Sequence, residues 1–503
     1  MTIGAGIDHR LWLAGMIAGG TALRLYGLGD QSLWADEGLS YWVASAADLD
    51  ELLRRQTERS LHPPLGFLIN HLALGMEDSD TMMRLPSALL GALTIPLIYA
   101  LGRALTWPTA ALVATAIFAV SPFHLWHSQD ARAYAPLLLA NTASTLALLW
   151  TIATGRARAG GALYALAASL GLYLHAFAVI PIMVHGLWLL LCRRRWLPWF
   201  LLAVAGALLL AAPVTVEWTT HLVGRLAQVA AGSSVHASGR SIVSPAVLPY
   251  ALYVFAVGYS FGPDVAGLHG DRSFAFFGRF WAEILVVALV FGSLLVAGLR
   301  ALPRRVGRAE RAHVLLGLLL PLLLGLLIAA ATKFAFNVRY MIAAYPYFCV
   351  LLGAGVASLA SARAPLDWTA AAAVVGLSLW SWSNYLTDPR FAKEDLRAAV
   401  HAWQADGRDD TLFSVSPAGG VHDVVDRYLA PGQRRRHVPV GRRDVAATIE
   451  AIMLEDGHRT AHVVIARDWD RRLERALTDG FEVRRERDFA GVRLFEIARP
   501  KDP

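Results

Sequence analysis

The sequence predicts a polytopic α-helical membrane protein of about eleven transmembrane helices, followed by a small C-terminal α/β domain. Three observations carry that expectation. Of the 503 residues, 56% are hydrophobic and only 17% are charged, a balance outside the range of ordinary soluble domains. Apolar runs of about 20 residues, enough for a helix to cross the hydrocarbon core, recur from Leu11 to about Tyr385. Beyond Asp388 charged residues become frequent and the apolar runs shorten.

The runs lie at 11–28, 82–101, 108–123, 135–153, 161–191, 197–213, 245–261, 281–300, 313–331, 340–360 and 367–385. The first contains Arg24 and has no small-residue cleavage pattern, so it reads as an uncleaved helix rather than a signal peptide. Run 161–191 is too long for one helix at about 1.5 Å per residue. His175 and Pro181 sit near its middle, which splits it into two short helices meeting near His175. The arginine-rich linkers at Arg156/Arg158, Arg193-Arg194-Arg195 and Arg300 to Arg311 belong on the cytoplasmic side. With the N-terminus inside, all three fall there only if one run between 214 and 300 fails to cross. Run 245–261 is the weakest. It holds Pro249 and three tyrosines between Pro245 and Pro263, and it reads as an interfacial or re-entrant piece. The C-terminus is then outside.

The formal charge of +7 is accounted for by such linkers, so no nucleic-acid partner is implied. Cys192 and Cys349 lie in or at the end of apolar runs, which excludes a disulfide framework. The tail from 388 to 503 reads as a separate α/β domain after a membrane domain at 1–387. Lys393–Trp403 has helical spacing, Thr411–Val415, His462–Ala466 and Val492–Ile497 look like strands, and Asp444–Leu454 and Trp469–Leu477 like helices between them. The clustered Arg434-Arg435-Arg436 reads as a solvated face.

On this topology polar groups with acid, base and cationic character collect on the external side. The first external loop, 29–81, is long, and such loops are usually functional. It carries Asp36-Glu37 directly after Trp34-Ala35. Paired carboxylates at a membrane surface are costly to desolvate, and a helix cap would account for one of them, not both. The same loop presents His62 in His62-Pro63-Pro64, where two prolines stiffen the bend. Arg84 opens the next helix and also reads as a partner for an external carboxylate. The second loop contains His127, Gln129, Asp130, Arg132 and Tyr134. If that entry is helical, His127, Asp130 and Tyr134 share a face. His175 marks a third external point, where it reads equally as an ordinary buried histidine. Lys333, Arg339 and Tyr340 mark a further one. Arg132, Lys333 and Arg339 suit a phosphate, arginine through its planar fork and lysine as a point charge, although Lys333 reads equally as an anchor at the headgroups.

These residues carry a resemblance. Trp34-Ala35-Asp36-Glu37, His62-Pro63-Pro64, the stretch from His127 to Tyr134, and Arg339-Tyr340 with Pro346 downstream resemble, in order and spacing, the bacterial branch of the protein O-mannosyltransferase/aminoarabinose transferase group of the GT-C glycosyltransferase superfamily. The resemblance covers roughly residues 10–385, and Lys393-Glu394-Asp395-Leu396-Arg397 looks like the start of the periplasmic domain often found in such proteins. It implies a GT-C fold in the bacterial inner membrane, with the site and the tail on the periplasmic or extracellular side. It implies an enzyme that takes a sugar from a polyprenyl-phosphate donor to an acceptor glycan, lipid or protein, with inversion at the anomeric carbon. Asp36 would be the base. Glu37, His62, Arg84, His127, Gln129, Asp130, Tyr134 and His175 would place acceptor or donor. Arg132, Lys333, Arg339 and Tyr340 would bind the donor phosphate. The resemblance implies no fixed cofactor and leaves a divalent metal open, though no His/Asp cluster has metal-ligand spacing that supports one. The alternative is a transporter or flippase for a lipid-linked anionic glycan, which repeats between the two halves would favour; none is evident.

Overall fold

The computed structural model describes residues 9–60, 62–230, 247–270, 273–332, 337–360, 364–406, 411–433, 435–439 and 445–499. Helix α1 (His9–Leu25) is followed by three helices of the 29–81 loop: α2 (Ala35–Ala44), α3 (Leu49–Arg59) and α4 (Leu65–Leu74). Then come α5 (Asp80–Leu105), α6 (Pro108–Ala119), the short α7 (Pro122–Ser128) and α8 (Tyr134–Thr154). Five helices among the described residues are individually long and apolar enough to cross a membrane: Asp80–Leu105, Tyr134–Thr154, Trp281–Arg305, Arg308–Ala331 and Val338–Leu359. Two bent pairs, one of them α6 with α7 at 54°, bring that number to as many as seven. By length and apolarity the described residues thus hold five to seven spans, against the eleven expected.

The division of run 161–191 falls where the sequence puts it. One helix covers Ala157–Leu174 and the next begins at Val179. His175 is extended between them, and its Nδ1 accepts from the Phe177 amide at 3.1 Å, holding the connecting turn. Within run 245–261 the helix is only Val247–Val257, shorter than a full crossing requires. One local expectation fails. The second loop is not helical through Tyr134: α7 stops at Ser128 and α8 starts at Tyr134. Pro136, in the first turn of α8, suits a fresh helix start.

The tail forms a five-stranded sheet of β1 (Leu412–Ser416), β2 (Arg435–Pro439), β3 (Thr460–Ala466), β4 (Glu482–Phe489) and β5 (Val492–Ala498). The order is β2-β1-β3-β5-β4, with β2, β1 and β3 parallel and β5 and β4 antiparallel. Three strands match the expected ones to within two residues. The two unexpected strands, β2 and β4, are the edges, and the helix Gly419–Tyr428 was also not expected. The first tail helix begins at Leu396 rather than Lys393, because Asp395 caps it through the Ala398 amide at 3.0 Å. The helix expected from Trp469 likewise starts later, at Arg472.

Strand alternation gives the sheet two apolar faces. One packs Phe413, Val415, Val463 and Ile465 against Ile449, Met453 and Leu477. The other packs Leu412, Val464 and Leu494 against Leu396, Trp403 and Val424, and this core continues into Leu33, Ala35, Met83 and Ala131 of the membrane part. The closest approach is between α2 and the helix Gly419–Tyr428. A methyl on Gly38 would lie 2.0 Å from the Gly420 carbonyl oxygen, and one on Gly420 1.8 Å from that of Ala35. Only glycine at both positions permits that contact. Charges rim it: Arg59 binds both oxygens of Asp423 at 2.8 Å, and Arg427 reaches Asp80 at 2.7 Å and Asp78 at 2.5 Å.

Candidate active site

Helix α2 places the two carboxylates. Its first turn carries Asp36 and Glu37, where the helix dipole favours negative charge. Successive residues project about 100° apart on a helix, following from 3.6 residues per turn, so the neighbours face different surroundings.

Glu37 points into a sealed cluster and is 0% exposed. Arg84 grips it with two parallel bonds, Nε to Oε1 at 2.8 Å and Nη2 to Oε2 at 2.6 Å. Lys393 Nζ at 3.1 Å and the Ala131 amide at 2.8 Å also donate to Oε1. Arg84 spends its remaining donors on the carbonyls of Leu28, Gln31 and Ser32. All five donors of the guanidinium are therefore used within the fold. Glu37 and Arg84, both expected among the placement residues, are thus bonded to each other and to the surrounding fold. The Gln129 side-chain amide donates to the Arg24 and Tyr26 carbonyls. Burial would push the Glu37 carboxyl up, but Arg84 and Lys393 outweigh it and hold the group ionised well below the usual range.

Asp36 faces the rim, with its side chain 20% exposed. Arg339 Nη1 meets its Oδ2 at 2.7 Å and Arg467 Nη1 lies 3.5 Å from its Oδ1. Arg132 donates to the Asp36 carbonyl and to Ser40 Oγ, both at 3.2 Å. Burial raises the Asp36 carboxyl. Arg339, Arg467 and Arg132 together overcome that and hold it well below the usual carboxylate range.

Around this pair lies a shell of aromatic rings with unused polar atoms. The Arg339 guanidinium sits 5.2 Å over the Tyr134 ring and 5.9 Å from that of Tyr340. Tyr134 packs against His127 at 5.4 Å and His175 at 5.6 Å, and His175 against His62 at 5.0 Å. So His127 and Tyr134 do meet, through the break between α7 and α8 rather than along one helix face. Both His127 ring nitrogens, Tyr134 Oη, His175 Nε2, Tyr259 Oη and Arg339 Nε are buried without a partner. Buried polar groups are ordinarily satisfied, and a ligand rich in hydroxyls and phosphate oxygens would supply partners here. Ser40, His62, Asn70, Arg132, Tyr134 and His175 line a narrow cleft with room for little more than a water molecule. Burial, then Arg132, holds the His62 imidazole neutral, well below its ordinary range.

Asp130 is buried apart from the rim. Its Oδ1 accepts from Trp34 Nε1 at 2.9 Å and lies 3.7 Å from Lys393 Nζ, while Oδ2 has no partner. Burial raises its carboxyl. Lys333 lies outside the described residues. Two participants come from the tail and were not expected. Lys393 bridges Glu37 and the Gln129 carbonyl, and Arg467 reaches Asp36. Lys393 opens the one tail motif that the sequence singles out; Arg467, in Ile465-Ala466-Arg467-Asp468, carries no signal. No group of three or more His, Cys, Asp or Glu side chains among the described residues is arranged to hold a metal ion.

The family profile described as dolichyl-phosphate-mannose-protein mannosyltransferase matches residues 61–218. No curated protein matches the chain by sequence. Among solved structures, ArnT from Cupriavidus metallidurans bound to undecaprenyl phosphate superposes with a TM-score of 0.58 at 13% identity, covering 96% of this chain and 98% of that one. The Archaeoglobus fulgidus oligosaccharyltransferase tethered to an acceptor peptide gives 0.55 at 11% identity, covering 98% and 74%. AglB from the same organism, in complex with an inhibitory peptide and a dolichol-phosphate, gives 0.51 at 11%, covering 91% and 69%. The chain is therefore a membrane protein that shares the fold of these solved proteins, and its residues 61–218 match the mannosyltransferase profile.

Proposed function

We propose that the protein moves a sugar from a polyprenyl-phosphate donor to an acceptor hydroxyl at the external face of the bacterial inner membrane, with inversion and with Asp36 as general base. One observation carries this reading. Of the three carboxylates at the centre, Glu37 and Asp130 are 0% exposed in their side chains, while Asp36 reaches the rim at 20%. Only Asp36 can meet an acceptor that arrives from outside.

The chemistry follows from the surroundings of that carboxylate. Arg339 has an unpartnered Nε beside the nitrogen that binds Asp36, so a donor phosphate can take the guanidinium edge-on. Arg132 stands on the same side through its contacts to Asp36 and Ser40, and we retain Lys333 and Tyr340 as further phosphate contacts. Drawing Arg339 toward the phosphate weakens the positive field on Asp36 and raises its proton affinity when a base is needed. The acceptor oxygen then attacks the anomeric carbon as its proton passes to Asp36. The bond from that carbon to the phosphate oxygen breaks, and the electron pair leaves with the polyprenyl phosphate. Arg339 and Arg132, turned to the departing oxygen, would supply the electrostatic stabilisation that usually dominates catalysis. The unpartnered atoms of His127, Tyr134 and His175, with His62, are suited to the sugar hydroxyls, and grooves between the helices would hold the apolar tail. The undecaprenyl phosphate and dolichol-phosphate named with the solved proteins of this fold support a donor of that class.

The test is incubation of purified full-length protein with a panel of polyprenyl-phosphate sugars, followed by analysis of transfer, donor hydrolysis and anomeric configuration. Asp36→Asn should lower turnover by roughly 10²–10⁴-fold, the usual worth of a positioned base. Full activity in that variant would remove Asp36 from the role. No turnover of any donor by the folded wild-type protein would favour transport of the lipid-linked anion.

A further inference from the structure

Arg467 follows the last residue of β3 directly and adopts φ +61°, in the left-handed region. Non-glycine residues are uncommon there, and arginine has no local hydrogen bond of the Asn or Asp kind to favour it. Its side chain nonetheless crosses from the sheet to the membrane part. Nε donates to Glu394 Oε1 at 2.7 Å, the guanidinium sits 5.2 Å over the Trp34 ring, and Nη1 lies 3.5 Å from Asp36 Oδ1. Glu394 is held in turn, since its Oε2 accepts from the amide of Ala35 at 3.2 Å. One tail carboxylate thus ties the arginine to the residue before Asp36.

We infer that Arg467 is a positioning residue of the site, supplied by the C-terminal domain, which keeps Asp36 Oδ1 engaged while Oδ2 is released to take the acceptor proton. This rests on the glycosyl-transfer reading above. Two arginines divide the carboxylate: Arg339 holds Oδ2 and Arg467 holds Oδ1. A donor phosphate competes for Arg339. It does not compete in the same way for Arg467, whose guanidinium is already fixed by Glu394 and Trp34. When Arg339 turns to the phosphate, the carboxylate keeps its orientation instead of swinging free. The strained backbone is what aims the side chain. A left-handed residue at the end of β3 turns the chain so that its side chain points back over α2, and the cost persists only because the surroundings over-determine it. On this account the soluble domain completes the site.

The discriminating variant is Arg467→Gly, because glycine is at ease in this backbone conformation and only the side chain is lost. Arg467→Asn, which also tolerates it, serves as the second variant if the first folds poorly. The charged and titratable groups facing Asp36 are Arg339, Arg132, His62 and Tyr134 on the membrane part, and Arg467 with Glu394 behind it on the tail. Removing Arg467 alone should raise the pH at which Asp36 takes a proton. Labelling of the full-length protein with a water-soluble carbodiimide, which attacks the protonated carboxyl, is read at Asp36 by peptide mass spectrometry across a pH series. Arg467→Gly should label at a pH higher than wild type by about half a unit or more, read where both proteins remain folded. With a turned-over donor, kcat should fall about ten-fold while the donor KM stays within about twofold, and Arg467→Lys should be intermediate. Labelling that follows the wild-type curve, or wild-type kcat in Arg467→Gly, would overturn the proposal. If the wild-type protein transfers no sugar, the glycosyl-transfer reading fails, and the labelling curve still decides whether Arg467 holds Asp36.

Discussion

The sealed cluster around Glu37 and the open rim around Asp36 are built on consecutive residues of one helical turn, yet they obey opposite rules. In the cluster the central charges answer one another: Glu37 is gripped by Arg84 and Lys393, and Arg84 has no donor to spare. At the rim, Arg339 keeps an unused Nε, and the neighbouring tyrosine and histidines keep unpartnered atoms. The difference separates stability from chemistry. A satisfied buried network rigidifies a fold, whereas unsatisfied groups on a rigid support are what a ligand can use.

The comparison can be broken in several ways, beginning with the cluster. Glu37→Gln or Arg84→Ala leaves a buried charge without its partner and should cost about 3–5 kcal/mol, seen as a large loss of melting temperature or of folded yield. Lys393→Met should act in the same direction, since its ammonium is buried between Glu37 and Asp130. If these variants keep wild-type stability, the cluster is not the support described.

At the rim, Arg339→Gln should weaken the binding of undecaprenyl phosphate, measured on the purified protein, while the melting temperature falls only slightly. Next comes the joint between tail and α2. Gly38→Ala or Gly420→Ala drives a methyl into a carbonyl oxygen at about 2 Å and should cost about 1–3 kcal/mol. The comparison is sharpened if turnover also falls, because the same joint carries Arg467. A smaller effect is expected for Arg59→Ala. Its pair with Asp423 is 31% exposed on the arginine side, and such surface pairs are worth about 1 kcal/mol or less.

Acid should act on both regions in the same direction. Asp36 and Glu37 are both held below the usual carboxylate range. The stability each contributes is present above its unfolded pKa and is lost as pH falls through that range toward the depressed value. The melting temperature should therefore decline below about pH 4.5, and Glu37→Gln should flatten that decline more than Asp36→Asn does.

Much of this was legible in the sequence, for reasons that particular residues show. Apolar runs announce helices because lipid and core impose the same demand on them. His175 marked a helix break because run 161–191 was too long. Asp36-Glu37 stood out because adjacent carboxylates are costly at that place. The division of labour between them was not legible, since it depends on Arg84 and Lys393 arriving from positions 47 and 356 residues away. Nor were β2 and β4. Both are edge strands rich in charge, and an edge does not need the apolar pattern that reveals a central strand. Arg435 and Arg436, read as a solvated face, lie in β2 and pair with Asp426 and Asp456. Arg467 was invisible because its importance lies in a backbone conformation and a long-range contact, neither of which has a local signature.

The most direct measurement compares Asp36→Asn and Glu37→Gln side by side, recording the melting temperature and the transfer rate from a polyprenyl-phosphate sugar for each. Asp36→Asn should melt closer to wild type than Glu37→Gln does, and lose transfer. Glu37→Gln should lose stability first, and whatever fraction remains folded should retain turnover. An Asp36→Asn protein that transfers sugar at the wild-type rate, or a stable Glu37→Gln protein that transfers none, would contradict the account.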